Sequence, residues 1–382
     1  MGEWLEKTLG ELTSYIAKGI PPKYVEEVGE ETIRVLNQKC NRNFRISYSE
    51  SRLHDNSVKK APADKMLRDF DILINSTGTG TAGRVAQIWH VPEPTTLDGH
   101  MILMRPTQEI DSLYYGYAIK AFQTQIEGFA EGSTGQTEIN KRRLQDEVVI
   151  RFPVSLDEQK DIGRMLKAID EKIQNNEEIN DNLEQQVSSI YKAWFEDFTL
   201  FDGIQPTSWY QGALSNIAQI ASGKCPPMKS IEKTDTATIP LVGAASVMGF
   251  TSKANHSDRI LVIGRVGTHG IVQRFNSPCW TSDNTLVITS KFYEYTNQLL
   301  QRVDYRSLNR GSTQPLITQG DMNKVPILVP DEHTLTEFES LTGHLMAKYE
   351  ANILENNKLS EMRDTLLPKL MSGELDVSNI DL

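Results

Sequence analysis

Two stretches of the chain, 158–198 and 334–371, carry apolar residues in an alternating four-and-three rhythm. That spacing keeps an apolar stripe on one face of a helix, so both stretches are predicted to be long helices that bury one seam against a partner. In the first, the seam positions are Ile162, Leu166, Ile169, Ile173, Asn176, Asn180, Leu183, Val187, Ile190 and Trp194. Adding 176 to each number gives Phe338, Thr342, Leu345, Tyr349, Asn352, Asn356, Leu359, Arg363, Leu366 and Leu370. Most positions stay apolar, and the two asparagines recur at the same two places. An asparagine in such a seam costs stability but fixes register, because a misaligned partner leaves a buried amide unpaired. Antiparallel pairing of the two helices sets Asn176 by Asn356, Asn180 by Asn352 and Trp194 against Phe338; parallel pairing sets Asn176 by Asn352. The plainer alternative is that each helix packs only on its own domain. Pro368 is expected to kink or end the second helix.

Outside the helices the pattern changes to short β-rich runs between glycine turns, and it again occurs twice. FDILINSTGTGTAGRV (70–85) and DRILVIGRVGTHGIV (258–272) each place a β-rich run before a G-T-x-G turn, Gly80 to Gly83 and Gly267 to Gly270. TTLDGHMILM (95–104) and TSDNTLVIT (281–289) follow as strands, then EGSTGQTEI (131–139) and RGSTQPLIT (310–318), then a proline exit into the helix. The predicted fold is α+β: two β-rich mixed domains joined by two long helices in an antiparallel coiled coil, with a pseudo-twofold internal repeat. The expected segments are a first domain 1–156, a central helix 157–198, a second domain 199–333, and a C-terminal helix with its tail 334–382.

Charge changes the picture less than its total suggests. The net charge is −11, an unpromising value for a nucleic-acid binder. Segments 157–198 and 331–382 alone carry −6 and −7, which leaves +2 on the rest. The acidity therefore belongs to the helices, and the globular parts remain compatible with DNA contact. Cys40, Cys225 and Cys279 are few, odd in number and far apart, which argues against a disulfide framework and for a reducing, cytoplasmic setting. No apolar run is long enough to span a bilayer, the N-terminus lacks a secretory core, and no histidine or cysteine spacing suggests a metal site.

Three enzyme motifs are tempting and each lacks a part. Gly78-Thr79-Gly80-Thr81-Ala82-Gly83 is a literal G-x-G-x-x-G, with Asp98 twenty residues beyond Gly78. A dinucleotide site needs a helix to begin there, but the next residues alternate like a strand and end at Pro92. As a phosphate loop the same stretch has Arg84 for the lysine and Val85 for the magnesium-binding Ser/Thr. Asn276-Ser277-Pro278-Cys279 resembles the Asn-Pro-Pro-aromatic motif of amino-methylating enzymes without its second residue or its aromatic. The turns are either plain tight turns or loops whose N–H groups and hydroxyls meet phosphate oxygens. Residues of the types that reach phosphates and base edges make the candidate DNA contacts Lys23, Arg45, Ser76, Thr77, Thr79, Thr81, Arg84, His100, Gln136, Thr137 and Lys141 in the first part. In the second they are Lys224, Arg265, Thr268, His269, Asn284, Arg310, Thr313 and Gln314.

This layout resembles the specificity subunit of type I restriction–modification systems over nearly the whole chain. The most specific matches are Asp157-Glu158-Gln159-Lys160, Asp170-Glu171-Lys172-Ile173, the run from Lys192 to Phe198, the closing run from Arg363 to Glu374, INSTGTGTAGRV and TTLDGHMILMRP. The resemblance implies that each globular part is a target recognition domain for one half of a bipartite, asymmetric double-stranded DNA site. The coiled coil would set the spacing, and the acidic helices would dock two modification subunits that methylate adenine. A restriction/translocase subunit would complete the nuclease form. The chain itself would be no enzyme and hold no cofactor; S-adenosylmethionine, ATP and magnesium would sit on the partners. Three other readings remain: a stand-alone two-domain DNA-binding regulator, a protein-only coiled-coil scaffold, and a nicotinamide oxidoreductase built on Gly78 to Gly83.

Overall fold

The computed structural model describes residues 3–132, 137–267, 270–308, 310 and 316–375; the candidates Gln136, Thr268, His269, Thr313 and Gln314 lie outside them. The chain divides into two compact units, Met1–Asn175 with Glu355–Leu382, and Asn176–Leu354. The division falls inside the long helices, so each unit holds a globular part with half of each helix, rather than separating at the expected segment boundaries.

In the first unit the main sheet comprises β1 (Thr13–Lys18), β2 (Ile72–Asn75), β3 (Val85–Gln87) and β4 (Met101–Pro106), in spatial order β1-β4-β2-β3 with antiparallel neighbours. β2 and the first four residues of β4 are buried throughout, which explains their unbroken apolar runs ILI and MILM. A second sheet orders Thr95–Leu97, Thr32–Leu36, Arg52–Asp55 and Tyr24–Val25, its first two strands parallel. Helix α1 (Ser112–Ala121) begins at Asp111, whose carboxylate accepts from the Leu113 and Tyr114 amides, each at 3.0 Å. Tyr114 is fully buried, and its hydroxyl donates to the Arg151 carbonyl at 2.8 Å. Helix α2 (Leu156–Tyr191) follows.

The second unit repeats the plan. β5 (Ala218–Ser222), β6 (Ile260–Gly264), β7 (Val272–Phe275) and β8 (Thr285–Ser290) stand in the equivalent order β5-β8-β6-β7, again antiparallel. The second sheet orders Val247–Thr251, Ile239–Val242 and Trp280–Thr281, the last two parallel. On helix α3 (Tyr293–Gln301), Tyr295 donates to the Leu328 carbonyl at 2.8 Å, the counterpart of Tyr114. Helix α4 (Glu332–Met371) closes the plan. Two glycines match as well. A Cβ on Gly19 would lie 2.1 Å from the Asp98 carbonyl oxygen, and one on Gly223 2.0 Å from the Ser282 carbonyl oxygen.

The start of α3 is capped differently from α1. Phe292 supplies no side-chain cap; instead Glu339 of α4 accepts from the Tyr295 and Glu294 amides at 2.8 and 3.1 Å. Burial pushes the Glu339 carboxyl up to about 7 despite those bonds. Counting back 176 from Glu339 gives Gly163, where a Cβ would already lie 3.2 Å from the Tyr114 amide nitrogen, so α2 approaches α1 with no side chain between.

Within each unit the long helices pair antiparallel. In the first, Asn356 Nδ2 donates to the Ile173 carbonyl at 3.2 Å and Lys172 faces Glu355 at 3.4 Å. In the second, Asn352 Nδ2 donates to Asn180 Oδ1 at 2.9 Å, Asn180 Nδ2 donates to the Tyr349 carbonyl at 3.2 Å, and the Trp194 and Phe338 rings stand 5.8 Å apart edge to face. Of the seam residues, Ile162, Leu166, Ile169, Ile173, Asn176, Asn180, Leu183, Val187, Phe338, Thr342, Asn352 and Leu370 are buried. Ile190, Trp194, Leu345, Tyr349, Asn356, Leu359, Arg363 and Leu366 are half-buried. A π-helical turn, Lys192–Glu196, follows α2, and at that end Tyr191 and Phe195 are buried more deeply than Ile190 and Trp194. Of the two outcomes expected at Pro368, an end to α4 does not occur: the helix runs on to Met371 and stops at Gly373, which has a φ of +74°. The released Asp364 carbonyl belongs to an exposed residue, where water can take it.

A buried ion network lies at the seam of the first unit. The Asp170 carboxylate, 2% exposed, accepts from Arg363 Nη1 at 2.7 Å and from the Tyr117 hydroxyl at 2.8 Å, with Lys120 Nζ at 3.9 Å. Burial lowers the Lys120 ammonium to about 8, with Asp170 opposing the shift. The offset of 176 carries Asp170 to Met346 and Arg363 to Val187, both buried and apolar in the second unit.

Candidate nucleic-acid interface

The β2–β3 turn of the first unit holds Gly78, Gly80 and Gly83 at φ of +117°, +70° and +86°. Left-handed backbone of this kind selects glycine. At Gly83 the demand is doubled, because a Cβ would lie 2.6 Å from the Glu127 Cα. The turn is braced by the Thr81 and Ala82 amides donating to the Gly78 carbonyl at 3.1 and 3.0 Å, and by Arg84 Nη2 donating to the Gly80 carbonyl at 3.0 Å. It leads into strand β3, so the helix N-terminus that a pyrophosphate needs is not at these glycines. Arg84, at the lysine position of a phosphate loop, is spent on the turn itself.

Other loops meet this turn. The Ser76 amide donates to the His100 carbonyl at 2.8 Å, the Ile139 amide donates to the Ser76 carbonyl at 2.8 Å, and Thr77 bridges to Glu138. Gln38 Nε2 donates to Thr77 Oγ1 at 2.7 Å, and Thr77 Oγ1 lies 2.9 Å from His100 Nδ1. Lys18 pairs with Glu138. Lys141 lies near both: burial lowers its ammonium, and the Lys18 charge adds to the shift. One surface thus gathers Gln38, Thr77, His100, Thr137 and Lys141, all exposed or half-buried, with Thr79 exposed and Thr81 half-buried on the turn beside it.

The second unit builds the same frame from other residues. The Arg265 amide donates to the Asn284 carbonyl at 2.9 Å, the Ile317 amide donates to the Arg265 carbonyl at 3.0 Å, and Val266 bridges to Leu316. Arg265 therefore stands where Ser76 stands in the first unit, and Asn284 where His100 stands. Gly267 and Gly270 have φ of +82° and +85° on the turn that follows. Asn284 and Lys224 are exposed, and Arg265 is half-buried. The Lys224 carbonyl accepts from Trp280 Nε1 at 2.8 Å, which leaves its ammonium outside that contact.

Several candidates have other places. Ser76 is fully buried, so its side chain is off the surface that a duplex could touch. Arg45 Nη2 donates to the Asp170 carbonyl of α2 at 2.9 Å, a packing role. Arg310 is exposed but pairs with Asp321. Lys23 is exposed beside the second sheet, its amide donating to His54 Nδ1 at 2.8 Å, apart from the Thr77–His100 cluster. Gln38 was not among the sequence candidates; its only sequence signal is a polar turn, Asn37-Gln38-Lys39, ahead of Cys40. Among the described residues, no group of three His, Cys, Asp or Glu is placed to hold a metal ion, and no helix is long and apolar enough to cross a membrane.

Comparison with known proteins agrees with this architecture. Residues 1–185 and 206–361 match the family described as type I restriction modification DNA specificity domain. The type I restriction enzyme MjaIX specificity subunit of Methanocaldococcus jannaschii is 25% identical, the match covering 99% of this chain and 95% of that one. The HindI specificity subunit of Haemophilus influenzae is 21% identical, over 98% of this chain and all of its own length. The crystal structure of the type I restriction-modification S subunit from M. genitalium superposes with a TM-score of 0.62 at 19% identity, covering 97% of this chain and 96% of that one.

Proposed function

The chain belongs to the type I restriction modification DNA specificity family, and we propose that each of its two units reads one half of a bipartite, asymmetric site on double-stranded DNA. The observation that carries this reading is the frame built twice within one chain. Identical backbone hydrogen bonds hold Ser76, His100 and Ile139 in one unit and Arg265, Asn284 and Ile317 in the other. Two equivalent frames that present different side chains suit two half-sites of different sequence. The acidic long helices set the spacing and dock two modification subunits. A continuous helix of 36 residues spans about 54 Å at 1.5 Å per residue, more than one DNA turn of roughly 34 Å.

On this reading the chain recognises and does no chemistry. Adenine methylation from S-adenosylmethionine belongs to the modification subunits, and ATP and magnesium to the restriction/translocase subunits that complete the nuclease form, all in the cytoplasm. Phosphate contacts through Lys141 and Lys224 supply affinity, while the turn residues supply sequence choice. The test is co-expression of the full chain with a type I modification subunit, followed by mapping of methylated adenine across the host genome. A two-part motif that vanishes without this chain is the expected result. An active, co-purifying partner with no motif would refute the proposal.

A further inference from the structure

We infer that His100 reads a base edge as a fixed hydrogen-bond donor, and that Asn284 holds the matching position in the second unit; this deepens the proposed function and rests on it. The carbonyls of both residues lock the hairpin residue opposite them, Ser76 and Arg265, and both residues directly precede the strand that lies second in its sheet, β4 and β8. Both side chains are exposed, so the backbone fixes where each one starts and leaves its polar end to solvent.

The first unit also fixes what that end can do. Gln38 Nε2 lies 2.7 Å from Thr77 Oγ1, and an amide nitrogen only donates, so the Thr77 oxygen accepts there. The hydroxyl keeps its proton for another partner, here assigned to His100 Nδ1, 2.9 Å away. A ring that accepts at Nδ1 is neutral and carries its proton on Nε2. The chain Gln38 to Thr77 to His100 thus presents an Nε2–H to whatever covers the turn. In the major groove, purine N7, guanine O6 and thymine O4 accept such a donor, whereas adenine N6 and cytosine N4 would set N–H against N–H. His100 accordingly selects an acceptor: a purine N7, guanine O6 or thymine O4. Asn284 carries a donor and an acceptor together, the pair that matches adenine N6 and N7. Thr77 and Gln38 are positioning residues that set the histidine tautomer.

The experiment uses the full chain co-expressed with a modification subunit and compares the methylated motifs of wild type, His100→Ala, Asn284→Ala and Thr77→Val. His100→Ala is expected to relax one base position in one half-site, with discrimination there falling about tenfold or more. Asn284→Ala is expected to relax one position in the other half-site only. Thr77→Val should weaken the same position as His100→Ala and no position of the other half-site, an effect that a loss of folding would not produce. If His100→Ala lowers the melting temperature, Thr77→Val and His100→Gln decide the matter in its place. A two-part motif left unchanged by these variants, or altered in both halves by one of them, overturns the inference alone. A wild-type complex with no two-part motif overturns the proposed function, and the inference falls with it.

Discussion

Removing the Asp170 carboxylate should unfold the first unit long before the second. Asp170 is 2% exposed and answers two cations, Arg363 at 15% and Lys120 at 14% exposure, together with the Tyr117 hydroxyl. In Asp170→Ala, Arg363 keeps the exposed Asp364 carboxylate at 2.8 Å, and Lys120 loses its near anion. Breaking a buried pair from one side costs roughly 3–5 kcal/mol, because the remaining charge stays desolvated. The second unit shows the alternative, since Met346 and Val187 fill the equivalent positions without charge. The double substitution Asp170→Met with Arg363→Val should therefore recover the part of the loss that belongs to the stranded Arg363, while Lys120 and the Tyr117 hydroxyl stay without their acceptor. Hydrogen exchange read by mass spectrometry under rising urea separates the units: peptides from α1 report the first, peptides from α3 the second. Asp170→Ala should shift the α1 peptides and leave the α3 peptides in place. A shift under about 0.5 kcal/mol in α1, or a double variant no better than the single one, would refute the reasoning.

Glu339 gives the second unit a pH dependence of definite sign. Its carboxyl is pushed up to about 7 in the fold, above the roughly 4.3 of a free glutamate, so the fold favours the protonated form. That contribution is complete below the free value and is lost as pH rises through 7. Glu339→Gln should thus gain on wild type in stability from urea melts between pH 5 and pH 8, by about 1.4 kcal/mol for each pH unit from 5 to about 7; a gap that narrows over that range contradicts the account. Gly19→Ala and Gly223→Ala place a Cβ about 2 Å from a backbone carbonyl and should each cost roughly 3 kcal/mol or more. Gly80→Ala, with open space but a φ of +70°, should cost only about 1 kcal/mol in the same thermal melts; equal losses at all three sites would show that crowding is not the cause.

What the sequence made legible was whatever repeats locally. The offset of 176 in the helices needs only a stripe and two asparagines, and the twin hairpins needed only a β-rich run beside a glycine turn. The features that position the site depend on partners far away in the chain. Gly19 is explained by the Asp98 carbonyl, Gly163 by α1, and Asp170 by Tyr117, Lys120 and Arg363. No local pattern announces such pairs. The candidate contacts fared unevenly for the same reason: basic and hydroxyl residues look alike in a sequence whether they face solvent, as His100 does, or are tied inward, as Arg45 is to Asp170. Pro368 does not end its helix because the carbonyl it releases belongs to an exposed residue.

The two units also show which parts of the repeat were free to diverge. The shared elements are those that a backbone must satisfy: the sheet order, the glycines at Asp98 and Ser282, the tyrosine anchors Tyr114 and Tyr295, and the amide-to-carbonyl pairs around Ser76 and Arg265. Helix capping is required in both, yet Asp111 does it in one unit and Glu339, from a different helix, in the other. The seam must be filled in both, yet one uses Asp170 with Arg363 and the other Met346 with Val187. At His100 and Asn284 the requirement falls on the backbone, whose carbonyl holds the frame, while the side chain is exposed. A position whose backbone is fixed and whose side chain is exposed can change its base preference without unfolding its unit. Such positions, one in each frame, are where two half-sites of different sequence can be specified on one repeated scaffold.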